Sequence, residues 1–184
     1  MFILLLGLAL WWAAHLFKRL APEARAGMGK SGKNAVTAAL IFSVLLMIWG
    51  YRIAPTGAVW WGPSPMMKGI NNLLVLVAFY LFAAAGMKTG LTGRLRHPQL
   101  IGFSLWAVAH LLVNGDMVSL VLFGGLLLWA IVEIMVINRA DPHWQAPAHD
   151  VPIRKDGMAV IGALVVFGVV GMIHAWLGYN PFGA

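Results

Sequence analysis

Six histidines, six carboxylates and no cysteine are the side chains with acid, base or metal-binding chemistry in this 184-residue chain. Four of them, His15, His110, His174 and Glu133, lie inside apolar runs. An ionisable group in such a run is costly to bury in a membrane and reads as a functional candidate. The absence of cysteine excludes disulfides, iron–sulfur clusters, thiolate-ligated haem and Cys-type zinc sites. Imidazole remains as the metal ligand, with the thioether of one of ten methionines as a secondary axial ligand. There is no glycine-rich phosphate loop, no Ser/His/Asp set and no pair of carboxylates, so hydrolase and NTPase chemistry lack support.

One stretch concentrates these residues. On a helix, Gln99, Phe103, Trp106, His110 and Asn114 fall within an arc of about 80°. That stripe serves either interhelical hydrogen bonding, at about 0.6 kcal/mol per bond, or a ligand-lined face with His110 free for a metal. At its start, Pro98 suits the first helical position and places His97 at the N-cap. A neutral imidazole there, with Arg94 and Arg96 just upstream, forms either an anion site or a cap flanked by interfacial anchors. His15 sits one turn after Trp11 and Trp12 and three residues before Lys18, in an interfacial aromatic belt. Glu133, six residues before Arg139, either pairs with an arginine or orients a histidine ring. His174 reads as an interfacial histidine. The loop holding Asp141, His143, His149 and Asp150 matches no metal-ligand spacing. Gly124, Gly125 and the glycines of the last apolar run read as close helix packing.

The elements that carry these residues follow from composition. The chain is 61% hydrophobic and 10% charged, against about 45–50% and about a quarter in soluble domains. A chain of this length cannot bury that excess in one core, so it faces lipid. This excludes a soluble enzyme, a disordered tail and a conventional nucleic-acid binder. The expected fold is all-α, a polytopic bundle of about six transmembrane helices forming a single domain over residues 1–184. The predicted spans are Phe2–Phe17, Ala35–Ile53, Ile70–Met87, Pro98–Val113, Met117–Ile137 and Met158–Leu177. Asn114, Gly115 and Asp116 form a tight turn that makes spans four and five an antiparallel hairpin.

Of the thirteen Lys and Arg residues, eleven fall in alternate loops and only Arg52 and Lys68 in the others. That asymmetry puts the basic loops in the cytoplasm and both termini in the periplasm. The formal charge of +7 is therefore an orientation signal, with lipid and not nucleic acid as the partner. The first run has no positive residue before it and is expected to be retained as a helix. Arg139–Gly157, with Pro142, Pro147 and Pro152, is expected to be an extended cytoplasmic loop.

Ala14-His15-Leu16, the run from Arg19 to Arg25 and Ile48-Trp49-Gly50-Tyr51-Arg52 resemble the NnrU family. So do Arg94-Leu95-Arg96-His97-Pro98-Gln99-Leu100 and the segment from Leu105 to Asp116. The resemblance is strongest over residues 1–139, followed by a cytoplasmic loop at 140–157 and a last helix at 158–177. It implies a multi-pass protein of the bacterial inner membrane, linked to nitrite and nitric oxide metabolism in denitrification. The family includes the plant zeta-carotene isomerase, so the resemblance also implies haem b and redox-dependent isomerase-type chemistry on a hydrophobic substrate. His15 and His110 correspond to that enzyme's proposed haem ligands, with His97, Arg94 and Arg96 expected near the propionates. Trp106 and Asn114 are expected beside the cofactor. Ala107 stands where that enzyme has a cysteine, which removes its ligand switch.

Depth favours a different pair. His15 lies about 4.5 Å inside Lys18, whereas His110 lies about 18 Å from the start of its helix. His97 matches His15 better and is the alternative iron ligand. A second resemblance, of Arg96-His97-Pro98 and Gly102 to the RHPxxxG motif of membrane methyltransferases, implies S-adenosylmethionine instead, although Glu133 is the only later acidic residue suited to it. A third reading is a non-catalytic accessory or assembly subunit of a respiratory complex. The partners implied are a hydrophobic small molecule or a respiratory-chain protein.

Overall fold

A computed structural model describes residues 1–146 and 151–183 and shows an all-α protein. Its helices are α1 (Phe2–Leu20), α2 (Pro22–Gly27), α3 (Gly29–Ile53), α4 (Pro65–Met87), α5 (Pro98–Val113), α6 (Met117–Ala140) and α7 (Ile153–Trp176). Five of them are long and apolar enough to cross a membrane, while α5 is apolar but only 16 residues long.

The expected spans are all present as helices, but several begin earlier than their apolar runs. α3 starts at Gly29 instead of Ala35, α4 at Pro65 instead of Ile70, and α7 at Ile153 instead of Met158. A helix satisfies its own backbone hydrogen bonds whatever its side chains, so it continues through polar residues until a cap stops it. At α4 the cap is Ser64, whose Oγ accepts from the Met67 N–H at 3.2 Å, with Pro65 next in sequence. The long loop expected over Arg139–Gly157 shrinks at both ends, since α6 runs on to Ala140 and α7 starts at Ile153.

The helices pack in the order α3, α1, α6, α5, α4, α7, so that α1, α6, α5 and α4 lie inside and α3 and α7 at the edges. Contact is closest where glycine allows it. A Cβ on Gly7 would come within 2.8 Å of the Met47 side chain, and one on Gly50 would strike the Leu4 backbone. α1 and α3 therefore cross nearly backbone to backbone. Gly102 does the same for α5 against Ala78 of α4, where a Cβ would stand 2.9 Å from the carbonyl oxygen. Of the glycines expected to mark packing, Gly125 meets Leu8 and Gly171 meets Phe182, but Gly124, Gly162 and Gly168 face open space. The last two are on α7, an edge helix, where large apolar side chains such as Ile161, Leu164 and Met172 are also exposed. Lipid is the solvent for such a face.

The two ends of the bundle differ. At one, joined by the basic loops, Arg19 faces Glu133, Arg96 binds Asp141, and His97 binds Asn138. At the other, Lys68 Nζ donates to the Gly183 carbonyl at 2.6 Å and Asn72 Nδ2 to that of Pro181 at 3.0 Å. There the segment Val59–Trp61 pairs antiparallel with Gly115–Asp116. The turn between α5 and α6 is thus clamped by the preceding loop, and Trp61 Nε1 also donates to the Leu111 carbonyl at 2.8 Å.

Candidate functional site

His15 and His110 do not meet. They stand at opposite ends of a ladder of aromatic rings that runs through the bundle interior. His15 packs on Trp11, with ring centroids 4.2 Å apart, and on Trp129, at 4.5 Å. Both indoles contact Phe103, stacked at 6.1 Å and edge-on at 5.2 Å. Phe103 leads to Trp106 at 5.2 Å, and Trp106 to His110 at 4.8 Å. Phe123 closes the far end, 4.7 Å from His110, 5.3 Å from Trp106 and 6.2 Å from Tyr51.

Helix periodicity builds this ladder. Trp11, His15 and Arg19 recur every four residues on α1, as do Trp129 and Glu133 on α6, so each set shares one face. The stripe on α5 supplies Phe103, Trp106 and His110 to the interior as expected. Its end members behave otherwise: Gln99 is exposed, and Asn114 Nδ2 donates to the His110 carbonyl at 2.8 Å. Phe123 is placed by a local irregularity, since residues Leu120–Gly124 of α6 are wound as a π-helix. Such segments are rare and recur at functional sites.

Each histidine of the ladder is fixed by its own helix. A carbonyl can only accept, so Nδ1 of His15 donates to Trp11 O at 3.0 Å and Nδ1 of His110 to Trp106 O at 2.8 Å. In the neutral ring this leaves Nε2 with a lone pair able to take a metal or a proton. His174 has the same bond, to Val170 O at 2.8 Å, and is an electrostatic neighbour of His110.

The separation of His15 from His110 bears on a shared iron. Trp11 stacks on Phe103, which puts those two residues level. His15 is four residues from Trp11 toward the basic end, and His110 is seven residues from Phe103 toward the other. At the helical rise their backbone positions are about 16 Å apart along the bundle. This offset in depth weighs against His15 and His110 sharing one iron. His97 is at a depth closer to His15, but its Nε2 is bonded to Asn138 Oδ1 at 2.8 Å. Arg96 is similarly engaged, binding the carbonyl and carboxylate of Asp141 at 2.8 and 2.9 Å beneath the Trp144 ring. Arg94 is exposed. Among the described residues no three His, Cys, Asp or Glu side chains converge on a metal position. His143 is exposed, and His149 and Asp150 lie outside the described residues.

Two groups of site residues escape sequence reasoning. Near His110, the Tyr51 hydroxyl and Ser119 Oγ are 2.8 Å apart, and Ser119 Oγ donates to Asp116 Oδ2 at 2.6 Å. With its one proton given to Asp116, Ser119 must accept from Tyr51. Asp116 Oδ1 also caps α6 by accepting from Ser119 N–H at 3.0 Å. No sequence signal links Tyr51 to Ser119, because they lie on different helices. Near His15, Trp129 carries no chemical signal of its own, and Arg19 reads in the sequence only as one of the basic loop residues. Their four-residue spacings from Glu133 and His15 were a usable signal. Arg19 Nε lies 3.8 Å from Glu133 Oε1, which settles on an arginine partner for that carboxylate.

No curated protein and no solved structure matches the chain. A comparison with protein families matches residues 3–181 to the family described as NnrU protein. The match extends through the last helix, beyond the segment that carried the resemblance in sequence. By that match this chain belongs to the NnrU family.

Proposed function

We propose that this NnrU-family chain is a haem b-binding protein of the bacterial inner membrane that serves nitrite and nitric oxide metabolism. In this reading His110 is the iron ligand and is not paired with His15. The observation that carries the reading is that His110, with Nδ1 fixed on Trp106 O and walled by Trp106 and Phe123, has as its electrostatic neighbour a second histidine fixed in the same way, His174. A backbone carbonyl behind a histidine is the arrangement that orients imidazole ligands to metals. His174, two residues from the matching end of α7 and held in the same way, offers the second imidazole. Haem iron held there would supply a one-electron couple in a water-poor site. The work of the chain's own residues is to fix the imidazoles, exclude water and, through Tyr51, Ser119 and Asp116, keep a hydrogen-bonded path beside them. The ligand switch of an isomerase has no support, because the fully buried Ala107 offers no ligand atom. The eleven basic residues favour a cytoplasmic position for their end of the bundle.

The test is the visible spectrum of the purified protein, oxidised and reduced. The expected result is a Soret band with reducible α and β bands, lost in His110→Ala, altered in His174→Ala and kept in His15→Ala. Loss in His15→Ala with retention in His110→Ala would overturn the assignment. A colourless protein that binds S-adenosylmethionine would favour the methyltransferase reading. Against that reading, Arg96 and His97 are already bonded to α6 and the residues after it, and Gly102 serves the contact with α4. A colourless protein that binds neither would favour an accessory subunit.

A further inference from the structure

The His15 end of the ladder has a feature that the His110 end lacks. Among the described residues, four buried side-chain polar atoms have no hydrogen-bond partner, and three of them are Trp11 Nε1, Trp129 Nε1 and Glu133 Oε2. Trp129 is 4% and Glu133 8% exposed, so bulk water does not serve them. Buried polar groups are almost always paired, and each orphan costs about 1–3 kcal/mol. Two of the orphans belong to rings packed on His15 and the third to Glu133, one turn along α6 from Trp129, and together they mark a place suited to an occupant.

The chemistry of that occupant follows from the atoms. Two indole N–H groups require an acceptor. The Glu133 oxygen requires a donor when ionised and an acceptor when it carries the proton. A carboxylate or phosphate provides acceptors alone, and an ammonium donors alone. Paired with Arg19 as a carboxylate, Glu133 wants a donor, and a ring hydroxyl both donates and accepts. The walls, Trp11, Phe103 and Trp129, are flat and aromatic and suit a planar ring. The cluster lies on membrane-spanning segments, with Glu133 six residues, or about 9 Å, inside Arg139. Trp11, His15 and Phe103 are only half-buried, so the cluster is not sealed within the bundle. Such an occupant is dissolved in lipid.

We propose that the cluster of Trp11, His15, Phe103, Trp129 and Glu133 binds the head group of a membrane quinol, with Arg19 at its mouth. The site is independent of the haem reading, because none of its residues touches His110. The full-length protein in lipid nanodiscs, titrated calorimetrically with decylubiquinol, is expected to show saturable one-to-one binding. Trp129→Phe, which removes the N–H and keeps a ring, and Glu133→Gln each weaken binding about tenfold. Trp12→Phe, whose N–H is already given to the Gly125 carbonyl, leaves binding unchanged. Trp11→Phe stands in if either variant fails to fold, as judged by thermal unfolding. Heat no greater than that of empty nanodiscs, wild-type affinity in both variants, or equal affinity for dodecanol would each overturn the proposal. His110→Ala is expected to lose the haem bands and keep quinol binding, which separates failure of this proposal from failure of the haem reading.

Discussion

The two ends of the aromatic ladder use the same parts and leave them in different states. Each has a histidine tied through Nδ1 to its own helix and walled by aromatic rings. At the His110 end the polar atoms are joined: Tyr51 donates to Ser119, and Ser119 donates to Asp116 through both its hydroxyl and its backbone. At the His15 end two indole N–H groups and a carboxyl oxygen are left unpaired, and Arg19 reaches Glu133 only at 3.8 Å. The histidine bond is therefore no distinction between them. It is what an imidazole in a membrane helix does when the carbonyl one turn back is the nearest acceptor. The surrounding helices make the difference. α3 and α6 bring complementary groups to His110, whereas α1 and α6 bring donors and an acceptor to His15 that do not satisfy one another.

Substitutions can break this contrast, and the largest effect is expected at the His15 end. Trp129→Ala removes a buried ring that touches His15, Trp11 and Phe103, and is expected to cost about 3–5 kcal/mol in thermal unfolding of the protein in detergent. Bands arising at His110 should persist at temperatures where the variant stays folded. Their loss there would mean that the two ends act as one unit. Asp116→Ala removes the α6 cap and the last acceptor of the Tyr51 path, and is expected to cost about 1–2 kcal/mol by the same measurement. If it instead weakened quinol binding, the separation of the two ends would fail. Tyr51→Phe deletes one hydroxyl and is expected to cost about 0.6 kcal/mol. Combined with Asp116→Ala it should be less than additive, because the two act on one hydrogen-bonded chain. Arg19→Gln should change stability by less than about 1 kcal/mol, since the pair is long and its arginine partly exposed. A larger loss would mean that the Arg19–Glu133 pair is closed within the membrane, and that the His15 end is less open than its unpaired atoms indicate.

Much of this was legible in the sequence where the signal is local. The helices followed from the length of the apolar runs, and the interior face of α5 from the spacing of Phe103, Trp106 and His110. The pairing of His15 with His110 followed from family resemblance, and the structure sets them at different depths. The helical rise along each span already separates them in depth. It could not place Trp11 beside Phe103, the contact that aligns the two helices. The roles assigned to Arg96 and His97 missed in a related way. The motif showed a basic, capped helix start, but the partners Asp141 and Asn138 come from the end of α6. The glycines were read uniformly as packing sites, although a glycine packs closely only where another helix crosses it, as at Gly7, Gly50 and Gly102.

By itself the sequence determined that the chain lives in lipid, where the helices run, which end carries the basic loops, and which faces hold ring and imidazole side chains. These properties depend on composition and helical period, which act over a few residues at a time. Only the tertiary structure decided that the aromatic residues form one ladder, that the two histidines stand at its opposite ends, and that one end is hydrogen-bonded while the other is left wanting partners. Those facts depend on which helices are neighbours and at what relative height. In a membrane, where lipid tails are as apolar as the helix faces, that choice rests on close contacts such as Gly50 on Leu4 and on a few polar bonds such as Tyr51 to Ser119.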